Sequence, residues 1–287
     1  AAEAALRVAT ARMATELYKG LAQRGLDPRG FTLIPYGGAG ELARSKMPSP
    51  YDFSIGKEEP LVPRDLVFEL DARMAADGIV IKHPDGRQIE GLADDLRSSG
   101  VQAVAVALLN SYVNPTPESE VATKIADRLG HVLVTRSAAV WPEIREYERA
   151  SIATMNAYIH PLLDNYYATL QRRLADLGLE SSLYITASNG GTLSVDTARQ
   201  RPVDTLLSGP ASGVIAAARV AELADRKAVI TIDMGGTSCD MAICQNGEPE
   251  YTTRTNVGDF PLVAPVVNVS AVGAGGGSLV WVDTFGI

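Results

Sequence analysis

The chain has 287 residues, with 26 lysines and arginines against 34 aspartates and glutamates and a formal net charge of -8. No stretch gathers basic residues into a stripe, so nucleic acid or an anionic membrane is not the expected partner and a soluble enzyme is. The length allows one large or two medium cores without disulfide staples, and the longest apolar run, "VAVALL" at 104–109, falls far short of the roughly 20 residues that span a bilayer.

In chain order, "AAEAALRVATARMATELYKGLAQRG" carries apolar residues at helical spacing and stops at Gly25. Its start lacks the basic residues of a secretory signal, which reads as a cytoplasmic protein. A strand, "FTLIPY", ends in the turn Gly37, Gly38, Ala39, Gly40, and a proline-rich break follows near residues 47 to 53. From Leu61 the pattern is α/β: "DLVFELDARMAADGIVI" alternates like a hairpin, "VQAVAVALLNSY" is a continuous apolar strand, and a helix starts near Pro117. "HVLVTRS" gives another strand. A long helical stretch from Trp141 to Gly178 follows, which Pro161 should kink or interrupt. "SSLYITASNGGTL" returns to strand and turn, "LLSGPASGVIAAARVAELA" opens an alanine-rich helix, and "KAVITIDMGGTSCDMAICQNGEPEYTTRT" reads as a buried strand, a tight turn, a second strand, an Asn246-Gly247 turn and a third strand.

Four glycine turns each follow an apolar strand: Gly37 to Gly40, Gly190 and Gly191, Gly235 and Gly236, and "GAGGGS" from Gly273 to Ser278. In an α/β sheet such strand ends border a common crevice where ligands collect. Asp233 leaves its strand beside one of these turns and Asp240 enters the next strand. The hairpin is thus expected to set two carboxylates near a phosphate-bound Mg²⁺ while Thr237 and Ser238 donate to phosphate oxygens. Neither a Walker A loop nor a dinucleotide fingerprint is present. His83, His131 and His160 form no metal-spaced pair, and Cys239 and Cys244, at odd spacing, point to opposite faces of a strand. Trp141, Tyr147, Tyr158, Tyr166 and Tyr167 read as packing, and Glu143, Arg145, Glu146, Glu148 and Arg149 as a solvated, ion-paired face, with a minor role at a substrate or subunit interface open to Arg145 and Glu148.

The segments "DMGGTSCDMAI", "LLSGPASGVIAA", "SNGG", "EIREYERASIATMNAYIHPLL" and "VGAGGGSLVWVD" resemble the hydantoinase A, 5-oxoprolinase and acetone carboxylase family, within the actin and hexokinase ATPase superfamily. The resemblance covers most of residues 58 to 287. It implies an α/β, actin/hexokinase-like (ribonuclease H-like) fold with mixed sheets flanked by helices. It further implies ATP and Mg²⁺ as cofactors, a cyclic amide or related carbonyl substrate, and a second subunit of the hydantoinase B type; a homo-oligomer is compatible. By this resemblance Asp233 to Asp240 is the second phosphate-binding hairpin, with Asp233 and Asp240 as catalytic and metal-binding acids. Gly235, Gly236, Thr237, Ser238, Ser208, Gly209, Gly275, Gly276 and Gly277 are expected around the nucleotide, and Gly37, Gly38 and Gly40 near adenosine.

The opening segment to Gly40 is similar to the family's far C-terminal end yet precedes "SPYDFSIGKEEPLVP", which resembles a much earlier part. The order reads as permuted, or the chain as a fragment or assembled from segments. The expected division is 1–46, 47–226 and 227–287, the last opening a second ATPase subdomain. The family's first D-x-G-G-T-x-x-D clamp has no counterpart at the start, which leaves ATP turnover by this polypeptide alone open. Asn268 and Ser270 stand where the commoner pattern has an acid and often a histidine. Two alternatives stay open: a non-catalytic nucleotide-binding or scaffolding protein, and an ATP-independent esterase-like hydrolase using Ser54 and Lys57, whose S-x-x-K spacing lets a lysine activate a serine.

Overall fold

The computed structural model describes residues 31–35, 61–179, 181–257 and 260–279. The helix read from residues 1 to 25, the turn holding Gly37, Gly38 and Gly40, and the Ser54 and Lys57 pair lie outside the described residues.

The first layer grows from the alternation of valine and alanine at 103–107. Strand β1 (Phe31–Pro35) precedes a short antiparallel hairpin of β2 (Arg73–Met74) and β3 (Val80–Lys82), then helix α1 (Gly86–Ser98) and strand β4 (Ala103–Ala107). Helix α2 (Thr116–Leu129), with Pro117 in its first turn, leads to β5 (Leu133–Arg136). β1 and β5 flank β4 in parallel. Successive side chains of a strand point to opposite faces. Val104 and Val106 therefore pack with Ile89, Leu92 and Leu96 of α1 and Val121 and Ile125 of α2. Ala103 and Ala105 face the other way and meet Ala153 and Ala157 of α4 (Glu146–Asp176), where methyl groups alone let helix and sheet approach closely. With both faces covered, no residue of β4 is more than 4% exposed.

Helix α1 escaped the sequence reading, although its signals are ordinary. The Asp85 side chain accepts from the Arg87 amide at the N-cap, and Ile89, Leu92, Ala93 and Leu96 recur at helical spacing. A one-turn helix α3 (Ser137–Val140) precedes α4. Pro161 does not interrupt α4, which runs unbroken for 31 residues. Its first half is anchored by Ile152, Met155 and Ile159 in one cluster and its second half by Tyr167 in another, with Val195 and Ala198. Packing at both ends outweighs the one hydrogen bond that proline removes.

Beyond α4 come the antiparallel pair β6 (Tyr184–Thr186) and β7 (Thr192–Ser194), the short helix α5 (Val195–Gln200) and helix α6 (Ser208–Leu223). Strand β8 (Ala228–Met234) then pairs along its whole length with β9 (Cys239–Gln245). The Asn246-Gly247 turn, with φ of 54° and 82°, has the two positive values that a two-residue hairpin turn needs and leads to β10 (Glu248–Pro249). β11 (Tyr251–Thr252) pairs with β14 (Val266–Val267), β12 (Thr255–Val257) with β13 (Phe260–Leu262), and β15 (Ser270–Val272) with β9 on the side away from β8.

One face of this second sheet packs on α6 through Ala211, Val214, Ala218, Ala242 and Cys244. The other face differs from the expectation of a buried strand. Ile230, Ile232 and Met234 are 70%, 66% and 60% exposed among the described residues, because a sheet buries only the faces another layer covers. Cys239 and Cys244 are both buried and free. Among the described residues no helix is long and apolar enough to cross a membrane.

Candidate functional site

The β8–β9 hairpin brings Asp233 and Asp240 directly opposite one another, and cross-strand partners share a face. Met234 pairs with Cys239, leaving Gly235, Gly236, Thr237 and Ser238 as the tip, closed by the Gly235 amide donating to the Ser238 carbonyl at 2.9 Å. Across β9, Ala271 pairs with Asp240 and Val272 with Cys239, so β15 delivers the Gly273–Ser278 turn to the same end of the sheet. There the Gly276 amide donates to the Gly235 carbonyl at 2.9 Å and the Gly277 amide to the Gly236 carbonyl at 3.2 Å. The Gly275 amide donates to Ser278 Oγ at 2.9 Å. Among the described residues, the amides of Gly236, Thr237 and Ser238 donate to no protein acceptor, and Gly236 and Thr237 are exposed. Adjacent unpaired amides with a hydroxyl beside them suit an anion.

The electrostatics fit a cation beside that anion. Burial, and then the charge of Asp233, push the Asp240 carboxyl above the ordinary carboxylate range. Repulsion between the exposed Asp233 and the partly buried Asp240 is relieved by a bound cation. No group of three or more metal-ligating side chains occurs among the described residues, and Mg²⁺ commonly needs only one or two carboxylates, with water and phosphate completing its shell. Asp233 and Asp240 would hold such an ion.

Ser208 and Gly209 form the first turn of α6. The Ser188 hydroxyl accepts from the Leu207 amide at 2.9 Å, and the Asn189 side chain accepts from the Gly191 amide, so the SNGG turn is fixed against the start of α6. Residues 224–227 alone join α6 to β8. The Ser188 carbonyl accepts from the Val267 amide at 3.0 Å, which ties the start of α6 to the stretch before β15 rather than to the hairpin tip. Among the described residues no hydrogen bond joins Ser208 or Gly209 to the hairpin. β1, which precedes Gly37 to Gly40 in the sequence, belongs to the sheet of β4 and β5 rather than to that of the hairpin.

Glu143 and Arg145 are exposed, with Arg145 paired to Glu148 at 3.9 Å, but a second polar cluster corrects the expectation of a solvated face at Arg149. The Arg149 side chain is 1% exposed. It donates through Nε to Ser137 Oγ, through NH1 to the Glu143 carbonyl and through NH2 to the Leu108 carbonyl, pairs with Glu146, and lies over the Tyr112 ring. Glu118, fully buried, accepts from the Leu108 amide, the Ser137 hydroxyl and the Ala138 amide. Burial pushes its carboxyl up, and those hydrogen bonds pull it partly back. This network ties Leu108, the residue after β4, to α2, α3 and the start of α4. The signal for Arg149 was its place three residues before Ile152 on the buried stripe of α4, which charge alone had masked.

A parallel layer joined by a long helix to a hairpin sheet with a glycine-bent tip is the actin/hexokinase-like α/β architecture. The hydantoinase/oxoprolinase N-terminal region model matches residues 7–129, and the hydantoinase/oxoprolinase model matches residues 149–287. The N-terminal region model begins at residue 7, inside the opening segment expected to match the family's C-terminal end, and the two models follow one another N-terminal region first, which does not support the expected permuted order. The chain is 33% identical over 237 residues to caprolactamase subunit alpha of Pseudomonas jessenii, covering 83% of this chain and 34% of that one. It superposes on the crystal structure of the ATP-dependent caprolactamase from Pseudomonas jessenii with a TM-score of 0.78 and 30% identity, covering 90% of this chain and 38% of that one. Nucleotide-free acetone carboxylase gives 0.75 and 25%, covering 89% and 38%. The chain belongs to the hydantoinase/oxoprolinase family. It spans only about two fifths of the length of these relatives, or less.

Proposed function

We propose that this chain is the nucleotide-handling part of an ATP-dependent cyclic amide hydrolase, acting on a hydantoin, lactam or 5-oxoproline, or of a related carbonyl carboxylase. The observation that carries the reading is the hairpin tip: the unpaired amides of Gly236, Thr237 and Ser238 beside the facing carboxylates of Asp233 and Asp240. The amides and hydroxyls bind phosphate oxygens, and the carboxylates hold Mg²⁺, which when bound neutralises phosphate charge. Phosphorylating a poor carbonyl electrophile gives it phosphate as a leaving group. The relatives' names point to ATP, to a lactam and to assembly as a subunit. By analogy a second subunit of the hydantoinase B type partners this chain, in the cytoplasm where ATP is supplied. The experiment is calorimetry with MgADP, followed by phosphate release from ATP with a lactam or hydantoin present. Saturable MgADP binding that Asp233→Asn weakens at least tenfold is expected, and no heat with the wild-type chain overturns the reading.

A second reading, nucleotide binding without turnover, rests on the same hairpin, whose unpaired amides and facing carboxylates can hold MgADP without any reacting group. Under it MgADP at a hundredfold excess over Kd stabilises the fold by about 2.7 kcal/mol while phosphate release stays at background.

A further inference from the structure

Glycines 275, 276 and 277 differ in what they tolerate. None has a positive φ, so none is required for backbone freedom. A Cβ on Gly276 would find nothing nearer than the Gly235 carbonyl oxygen at 3.8 Å, and one on Gly277 would lie 3.3 Å from the Gly236 oxygen. On Gly275 the Cβ would fall 2.5 Å from the Gly236 carbonyl carbon, 2.5 Å from the Thr237 nitrogen and 2.6 Å from the Gly236 oxygen. The Gly236–Thr237 peptide therefore lies flat against the buried Gly275 Cα, where no side chain fits.

That contact has a directional effect. In a trans peptide the C=O and the following N–H point opposite ways. The Gly276 amide draws in the Gly235 carbonyl, which turns the Gly236 N–H outward; the Gly277 amide draws in the Gly236 carbonyl, which turns the Thr237 N–H outward. Two successive amides are thus aimed away from the protein, a concavity matched to one tetrahedral oxyanion. The donors of Gly276 and Gly277 are meanwhile occupied within the protein, and the Gly275 donor by Ser278 Oγ at 2.9 Å.

We propose that the Gly275–Ser278 turn is a template that aims the hairpin amides at a phosphoryl group, with Gly275 as its positioning residue, rather than part of the ligand shell. The inference rests on the nucleotide reading above and goes beyond it in assigning these glycines a role that touches no ligand.

The test is MgADP calorimetry on wild-type chain, Gly275→Ala and, as a control, Gly213→Ala, whose Cβ in α6 would meet nothing within 4 Å. Gly275→Ala is expected to weaken MgADP at least tenfold and to shrink the MgADP-induced shifts of the Gly236 and Thr237 amide resonances, with Gly213→Ala binding as wild type. If Gly275→Ala does not fold, Ser278→Ala decides, with a threefold to tenfold loss expected. Wild-type binding that Gly275→Ala, or in its place Ser278→Ala, leaves within twofold overturns this inference alone. A wild-type chain that binds no MgADP overturns the nucleotide reading and this inference with it.

Discussion

Strands β4 and β8 are both apolar runs in the sequence, yet one is sealed and the other open. In β4 the valines meet two helices and the alanines a third, and every residue is essentially out of water. In β8 the side chains of Val229 and Thr231 turn toward α6, while Ile230, Ile232 and Met234 face outward. An apolar run identifies a strand but leaves undecided how many layers cover it. The hairpin that carries the candidate site therefore belongs to a sheet with one covered face among the described residues, whereas the parallel layer has two.

Variants in the two regions sharpen that contrast. The largest effect is expected in the sealed layer, where Arg149→Met leaves buried partners uncompensated and costs roughly 3–5 kcal/mol in urea denaturation. Ile125→Ala, in the core between α2 and β4, should cost about 3 kcal/mol by the same measurement. Asp240→Asn should do the opposite. The folded-state pKa of Asp240 lies above its unfolded value, so the ionised carboxylate costs stability once the pH exceeds the folded pKa. The unliganded variant is thus expected to melt higher than wild type at pH 7, a gain that fades as the pH falls through the ordinary carboxylate range and the acid becomes neutral in both states. MgADP binding should fall at the same time. The smallest effect belongs to Ile232→Ser on the open face, at most about 0.5 kcal/mol. A cost above roughly 2 kcal/mol there would show that another layer covers β8 in the complete molecule and would break the comparison.

Much of this was legible beforehand because the relevant forces are local. The hairpin, its Asn246-Gly247 turn and the opposed acids follow from strand alternation and turn chemistry within about twenty residues. The glycine-rich turn could be suspected of a site, but not given its role: contact of Gly275 with the Gly236–Thr237 peptide links segments almost forty residues apart, and no spacing rule encodes it. Arg149 and Glu118 were misjudged or missed because charge predicts exposure unless partners are known, and theirs come from Leu108 just after β4, from α3 and from the start of α4. The persistence of α4 through Pro161 likewise depends on packing at its two ends.

That proline also sets where α4 is softest. Having no N–H, Pro161 leaves the Ala157 carbonyl without its usual donor four residues on, so flexing there sacrifices one bond fewer than flexing at an ordinary position of the rod. The segment before it is embedded in the layers around β4 and β13, and the segment after it rests on α5. Any bend between the two anchored ends is therefore expected at Pro161 before other positions of the rod.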